Sequence, residues 1–308
     1  MTQSINKFSM KASAEPNAIN PTSADLTGHD GTVDVRGLTV CYTDSRKQKH
    51  TVLQDVSFNV PSGTFATVIG PSGSGKSTLL KILGGLHPAE AGETVIGGRL
   101  ITEPNPDLVT IVFQDSSLLP WRTVIRNVAL PLETAGVNRL EREERAQKVL
   151  ELVGLGDCIH KYPRELSGGM KQRVAIARGL VVEPSVLLMD EPFAALDEQS
   201  RYEMGEELLK LWDRLKSTVI FVTHNLSEAV FLADKVIVLE GRPATVGQTV
   251  DVNFSRPRDL GLMVSPEFHV VRDQLYTSLK RDRIRSSGTY SWSQESPGPN
   301  GELLKGDR

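Results

Sequence analysis

Residues 70 to 77 read Gly-Pro-Ser-Gly-Ser-Gly-Lys-Ser, a match to G-x-x-x-x-G-K-[ST], and few eight-residue stretches leave a chain less choice of fold. The pattern works only as a tight turn between a strand and a helix. Both flanks are present: Thr64 to Ile69 is an apolar, β-branched run, and Leu79, Leu80, Ile82 and Leu83 recur at helical spacing. In that setting the glycines let backbone N–H groups turn inward around phosphate oxygens, and the helix N-terminus adds positive potential. Gly70, Pro71, Ser72, Gly73, Ser74, Gly75 and Thr78 are therefore expected to surround the phosphates of a nucleotide. Lys76 reaches the terminal phosphates, and Ser77 offers its hydroxyl to Mg²⁺.

A strand feeding such a loop belongs to an α/β sheet, and the rest of the chain supplies one. Leu108 to Phe113, Val186 to Met189, Thr218 to Val222 and Lys235 to Leu239 read as further buried strands alternating with helical patterns, which predicts a mostly parallel sheet. Glu198 to Lys216 is expected to be a helix that packs on it through Met204, Leu208, Leu211 and Leu215. About 115–167 has no strand signal, a turn at Leu119-Pro120-Trp121 and a charged helix from Arg139 to Val153, and reads as an inserted helical subdomain. Residues 1–31 and 285–308 are polar and read as disordered tails, with a helical extension at 263–284.

Composition narrows the partners. With 35 Lys and Arg against 38 Asp and Glu, net charge is -3, so there is no basic footprint for nucleic acid. The two cysteines, Cys41 and Cys158, suggest neither a disulfide framework nor a zinc site, and a reducing compartment fits. No run of apolar residues is long enough to be a signal-peptide core or a membrane span. If a membrane is involved, other chains are expected to cross it.

Three further residues sit at the carboxyl ends of expected strands, where ligands of open α/β sheets collect. Asp190 and Glu191 follow the Val186 strand, with Asp190 on the Mg²⁺ side and Glu191 placed to polarise the attacking water. Gln114 follows the Leu108 strand, as a candidate for the metal and the nucleotide, and His224 follows the Thr218 strand, within reach of a γ-phosphate.

Leu166-Ser167-Gly168-Gly169-Met170-Lys171-Gln172-Arg173 resembles the signature motif of ABC ATPases. The resemblance runs over about residues 32 to 260 in the right order: phosphate loop, Gln114, signature, acidic strand, Ala195-Leu196-Asp197 as the D-loop, then His224. It implies a P-loop ATPase with a mostly parallel core, an antiparallel β edge and the inserted helical subdomain, over 32–262. It also implies a homodimer in which Ser167, Gly168, Gly169 and Asp197 contact the nucleotide held by a second copy, with Lys76, Glu191 and His224 as the catalytic set. Tyr42 is similar to the aromatic that stacks on adenine in this family. Met170, Ala194 and Asn225 depart from the commonest residues, and none of them removes a catalytic group.

Within the family, Phe113 to Trp121, Tyr162 to Met170 and Pro192 to Asp197 resemble the nitrate/sulfonate/taurine importer branch. That implies a subunit on the cytoplasmic face of a bacterial inner membrane, working with integral-membrane permease chains and a periplasmic or lipid-anchored solute-binding protein. A permease contact is expected around Gln114 to Trp121, with Trp121 as either contact or subdomain core. The alternative is a soluble, non-transport ABC ATPase.

Overall fold

A computed structural model describes residues 30–287, with side chains through residue 281. The tails expected at 1–31 and 285–308 lie mostly outside the described residues. Among the described residues the strands are β1 (Val33–Thr43), β2 (Lys49–Val60), β3 (Phe65–Ile69), β4 (Ala91–Ile96), β5 (Arg99–Leu100), β6 (Val109–Val112), β7 (Val186–Asp190), β8 (Thr218–Val222), β9 (Lys235–Glu240) and β10 (Thr245–Asp251). The helices are α1 (Lys76–Leu83), α2 (Val124–Val128), α3 (Leu130–Thr134), α4 (Arg139–Leu152), α5 (Gly168–Leu180), α6 (Glu198–Leu215), α7 (Leu226–Leu232) and α8 (Pro266–Ser287).

The five strands read from sequence form the parallel part of one sheet, in the order β10-β9-β3-β8-β7-β6, with β10 antiparallel on the edge. Their apolar runs are continuous because both faces are covered. Leu187 and Met189 of β7 point into a core shared with α5, α6, α7 and α8. Val186 and Leu188 point the other way, into a core shared with α1 and a second sheet, β2-β1-β4-β5. β8 alternates in the same way through Val219 and Phe221 on one side and Ile220 and Val222 on the other.

The antiparallel sheet is only loosely legible in the sequence. β2 alternates buried and exposed residues, and three register shifts interrupt its pairing with β1, so no clean two-residue period survives. Between β6 and β7 the described chain is helical, and α2 to α5 share a small core of Val124, Val128, Leu132, Leu150 and Val174. On α6, Met204, Leu208 and Leu211 are buried, but Leu215 is exposed, and Leu209 and Trp212 complete the packed face.

Beyond β10 the chain is tied back by a buried cation. The Arg258 guanidinium donates to the carbonyls of Phe231 and Ala233 at the end of α7 and to those of Val252 and Phe254. Burial pulls its pKa down to about 10, with Arg256 adding to the fall and Asp234 opposing it. Four carbonyl partners make that burial tolerable. This staple fixes one end of α7, and His224 stands just before the other. The helix expected through Glu267 to Leu279 extends to Ser287, anchored by Phe268 and Leu275.

Candidate active site

The carboxyl ends of β3, β7 and β8 open onto one cleft of about 860 Å³. Its walls include Gly70 to Gly73 and Gly75 to Thr78 of the phosphate loop, together with Glu191 and His224. The loop is shaped by positions that only glycine fills well. Gly75 has φ 86°, and a Cβ there would stand 2.7 Å from Leu53 Cδ2 and 2.8 Å from Val52 Cγ1. Arg242 braces the loop tip by donating to the Ser72 carbonyl at 2.8 Å.

Lys76 donates to the carbonyls of Gly70 at 3.0 Å and Pro71 at 3.1 Å. Burial pulls its pKa below the ordinary lysine value, while Glu191 and Asp190 oppose that fall. A desolvated ammonium held only by carbonyls is matched to phosphate oxygens. Ser77 Oγ donates to Asp190 Oδ1 at 3.0 Å. Burial raises the Asp190 pKa, and the Ser77 bond works against it. A hydroxyl and a carboxylate brought together next to a phosphate cradle are the hard oxygen donors that fit Mg²⁺.

Glu191 and His224 meet directly, His224 Nδ1 lying 2.9 Å from Glu191 Oε2. Glu191 has φ 45°, in the left-handed region, and its N–H donates to the Val222 carbonyl at 3.0 Å. A non-glycine residue in that region costs on the order of 1–3 kcal/mol, and such strain concentrates at functional positions. It turns the side chain out of the strand direction and into the cleft.

Beneath this pair lies Glu228, buried, with Asn225 capping its helix and the Thr223 hydroxyl donating to its carboxylate. Burial raises its pKa. A carboxyl whose folded pKa is raised binds its proton more tightly in the folded chain, so stability falls as pH rises from the unfolded value through the folded one. Glu228→Gln, which keeps the shape and can still accept from Thr223, is expected to raise Tm at pH 8 and to change it little at pH 4. Equal shifts in thermal unfolding at both pH values would contradict this.

Other expected site residues lie apart. Tyr42 is half-buried near the loop, its hydroxyl 3.5 Å from Thr78 Oγ1 and its ring 4.8 Å from that of His87. Ser74 faces inward, its hydroxyl buried, so it contributes backbone rather than side chain. Gln114 is exposed and outside the cleft walls. Ser167 caps α5 by accepting from the Met170 N–H, and Ser167 and Gly168 are exposed and outside the cleft walls. Asp197 caps α6, its carboxylate held below the usual range by the backbone N–H and hydroxyl of Ser200.

Two arginines absent from the sequence reading organise this geometry. Besides Arg242, Arg178 of α5 donates to the carbonyls of Ser116 and Ser117, tying the segment after Gln114 to the helix that begins at the signature. Each contact spans 60 residues or more, a separation no local pattern signals.

The sequence profile described as "ABC transporter" matches residues 53–194. A taurine import ATP-binding protein of Rhizobium johnstonii is 45% identical over 228 residues, covering 72% of this chain and 87% of that protein. The chain belongs to the ABC transporter family. Among other relatives of this ABC ATPase, the nitrate import ATP-binding protein NrtC of Synechococcus elongatus is 44% identical over 239 residues, although the chain spans only 36% of NrtC's length. A solved dimeric structure of the ATP-binding cassette MJ0796 with ADP and Pi superposes with TM-score 0.64 at 32% identity, covering 72% of this chain and all of that one.

Proposed function

We propose that this ABC ATPase is the ATP-hydrolysing subunit of an importer of small anions such as nitrate, sulfonates or taurine, acting as a homodimer on separate permease chains. The observation that carries this reading is that the signature, with Ser167 and Gly168 exposed, lies outside the walls of the cleft that holds the chain's own phosphate loop. A motif built to bind phosphate, outside the cleft of the one phosphate loop in the sequence, serves a second copy. Relatives named for nitrate and taurine import, and a dimeric cassette neighbour, support it. The same relatives weigh against a soluble, non-transport role.

In this mechanism Lys76 and the backbone of Gly70 to Ser77 hold the phosphates, and Tyr42 packs against adenine. Ser77 and Asp190 would hold Mg²⁺, with Gln114 joining them on closure, and the ion would supply positive charge that neutralises the phosphates. Glu191 accepts a proton from water as its oxygen attacks the γ-phosphorus, and the bond to the leaving ADP oxygen breaks. His224 orients Glu191 and donates toward the γ-phosphate. Ser167, Gly168 and Gly169 of the partner bind that phosphate from the other side, with the partner's Asp197 at the seam, so closure completes the site. A solute-binding protein would deliver the anion on the far side of the membrane.

The permease surface follows from Trp121. Asn127 is fully buried and spends both ends of its amide on the Leu119–Thr123 turn, taking the Leu119 N–H and giving to the carbonyls of Leu119, Arg122 and Thr123. The turn leaves Trp121 71% exposed, which supports a contact role over a subdomain-core one. A groove of about 310 Å³ beside it carries Arg122, Arg126, Arg139 and Arg142 with Glu133 and Glu143. An exposed aromatic among arginines is the composition of an interface anchor. Among the described residues no helix is long and apolar enough to cross a membrane. Trp121→Ala is expected to weaken co-purification with permease from detergent extracts by about ten-fold or more while basal ATPase is kept. Full retention of the complex would place the contact elsewhere.

A further inference from the structure

Part of the nucleotide cleft is walled by a segment outside the ATPase core. Tyr276, Leu279 and Lys280, from the midpoint of α8 on, line it together with His224 and Leu226. The placement follows from a helical stripe: Phe268, Leu275 and Leu279 recur at i, i+7 and i+11, on the face that packs against α7 and β9. Phe268 and Leu275 are fully buried, whereas Leu279 is only partly covered, packed on the same cluster as Leu226. Beyond Leu275, Leu279 is the only apolar anchor among the described side chains. Tyr276, 58% exposed, and Lys280 flank it at i and i+4, projecting at the mouth of the cleft.

In a sandwich dimer the same mouth must admit the partner's Ser167 to Gly169, because the floor is already taken by the phosphate loop and the strand ends carrying Glu191 and His224. Two bodies cannot occupy it together. We propose that the part of α8 from Tyr276 on is a built-in cap: docked, it leaves the cleft able to take ATP but excludes the partner's signature, and its displacement licenses closure. This rests on the sandwich reading given above. The base of α8 stays anchored by Phe268 and Leu275, while the tip is held weakly enough to open locally.

The test uses the full chain carrying Glu191→Gln, so that bound ATP persists, with and without Tyr276→Asp and Leu279→Asp. Dimerisation is followed by sedimentation over a protein concentration series with Mg-ATP, and nucleotide binding by the fluorescence of a ribose-labelled ATP. If only the uncapped fraction can dimerise, freeing this part of α8 is expected to tighten the dimer by about ten-fold at labelled-ATP concentrations that saturate the monomer of each variant. A second arm locks the cap. Leu226→Cys and Leu279→Cys, in a chain with Cys41→Ser and Cys158→Ser, are joined by a cleavable bis-maleimide. The locked protein should bind labelled ATP yet stay monomeric until the linker is cut. Unchanged or weakened dimerisation in the aspartate variant, or a locked protein that still dimerises, overturns the cap. Absence of an ATP-dependent dimer in parent and variants alike overturns the sandwich, and the cap with it.

Discussion

Replacing Glu191 with Gln is expected to lower steady-state phosphate release by about a hundred-fold or more while ATP binding is retained. The amide keeps the size of the carboxylate and its hydrogen bond to His224, which sits 2.9 Å away. The left-handed backbone that aims the side chain into the cleft, and the bond from its N–H to Val222, are main-chain features that the substitution does not touch. What it removes is the ability to accept a proton from the attacking water. Phosphate release measured beside ATP binding on the same samples separates the two roles. A rate equal to that of the unaltered protein would remove Glu191 from the chemistry.

Such a variant also leaves ATP trapped, so its dimer should be long-lived. Product formation is what reopens the closed site in this mechanism, and a chain that binds without turning over loses that step.

The central sheet and the phosphate loop were legible because each is over-determined locally. The β7 run Val186 to Met189 is buried on both faces and so reads apolar throughout, and its end at Asp190 and Glu191 is marked by the sudden change to acid. The eight residues of the loop carry their own geometry in three glycines. β2 was not legible, since the alternation of its buried Val56, Phe58 and Val60 is broken at the step back to Leu53, where the pairing with β1 shifts register. For the site, sequence order named the residues but not their company. Arg242 and Arg178 act across long separations, and Arg258 gives no sign in sequence that it is buried among four carbonyls. The sequence predicts a helical extension at 263–284 but is silent about what a helix there packs against, so its reach to the nucleotide cleft emerges only in three dimensions.

The central claim is that each ATP is enclosed by two chains, and a pair of complementary defects tests it most directly. Lys76→Ala removes the ammonium that holds the phosphates and is expected to abolish turnover in a homodimer. Gly168→Asp leaves the fold intact, because a side chain there meets nothing within 4 Å and an acid suits the first turn of a helix. Its carboxylate instead faces the partner's γ-phosphate, so that homodimer should also be inactive. In a mixed dimer the intact phosphate loop of the Gly168→Asp chain faces the intact signature of the Lys76→Ala chain, and one complete site is restored. Mixing the two inactive proteins in equal amounts is therefore expected to recover roughly a quarter of the unaltered rate, half the dimers being mixed and each carrying one good site. A mixture as inactive as its components, or a Gly168→Asp protein that hydrolyses ATP at the full rate alone, would contradict a site shared between chains.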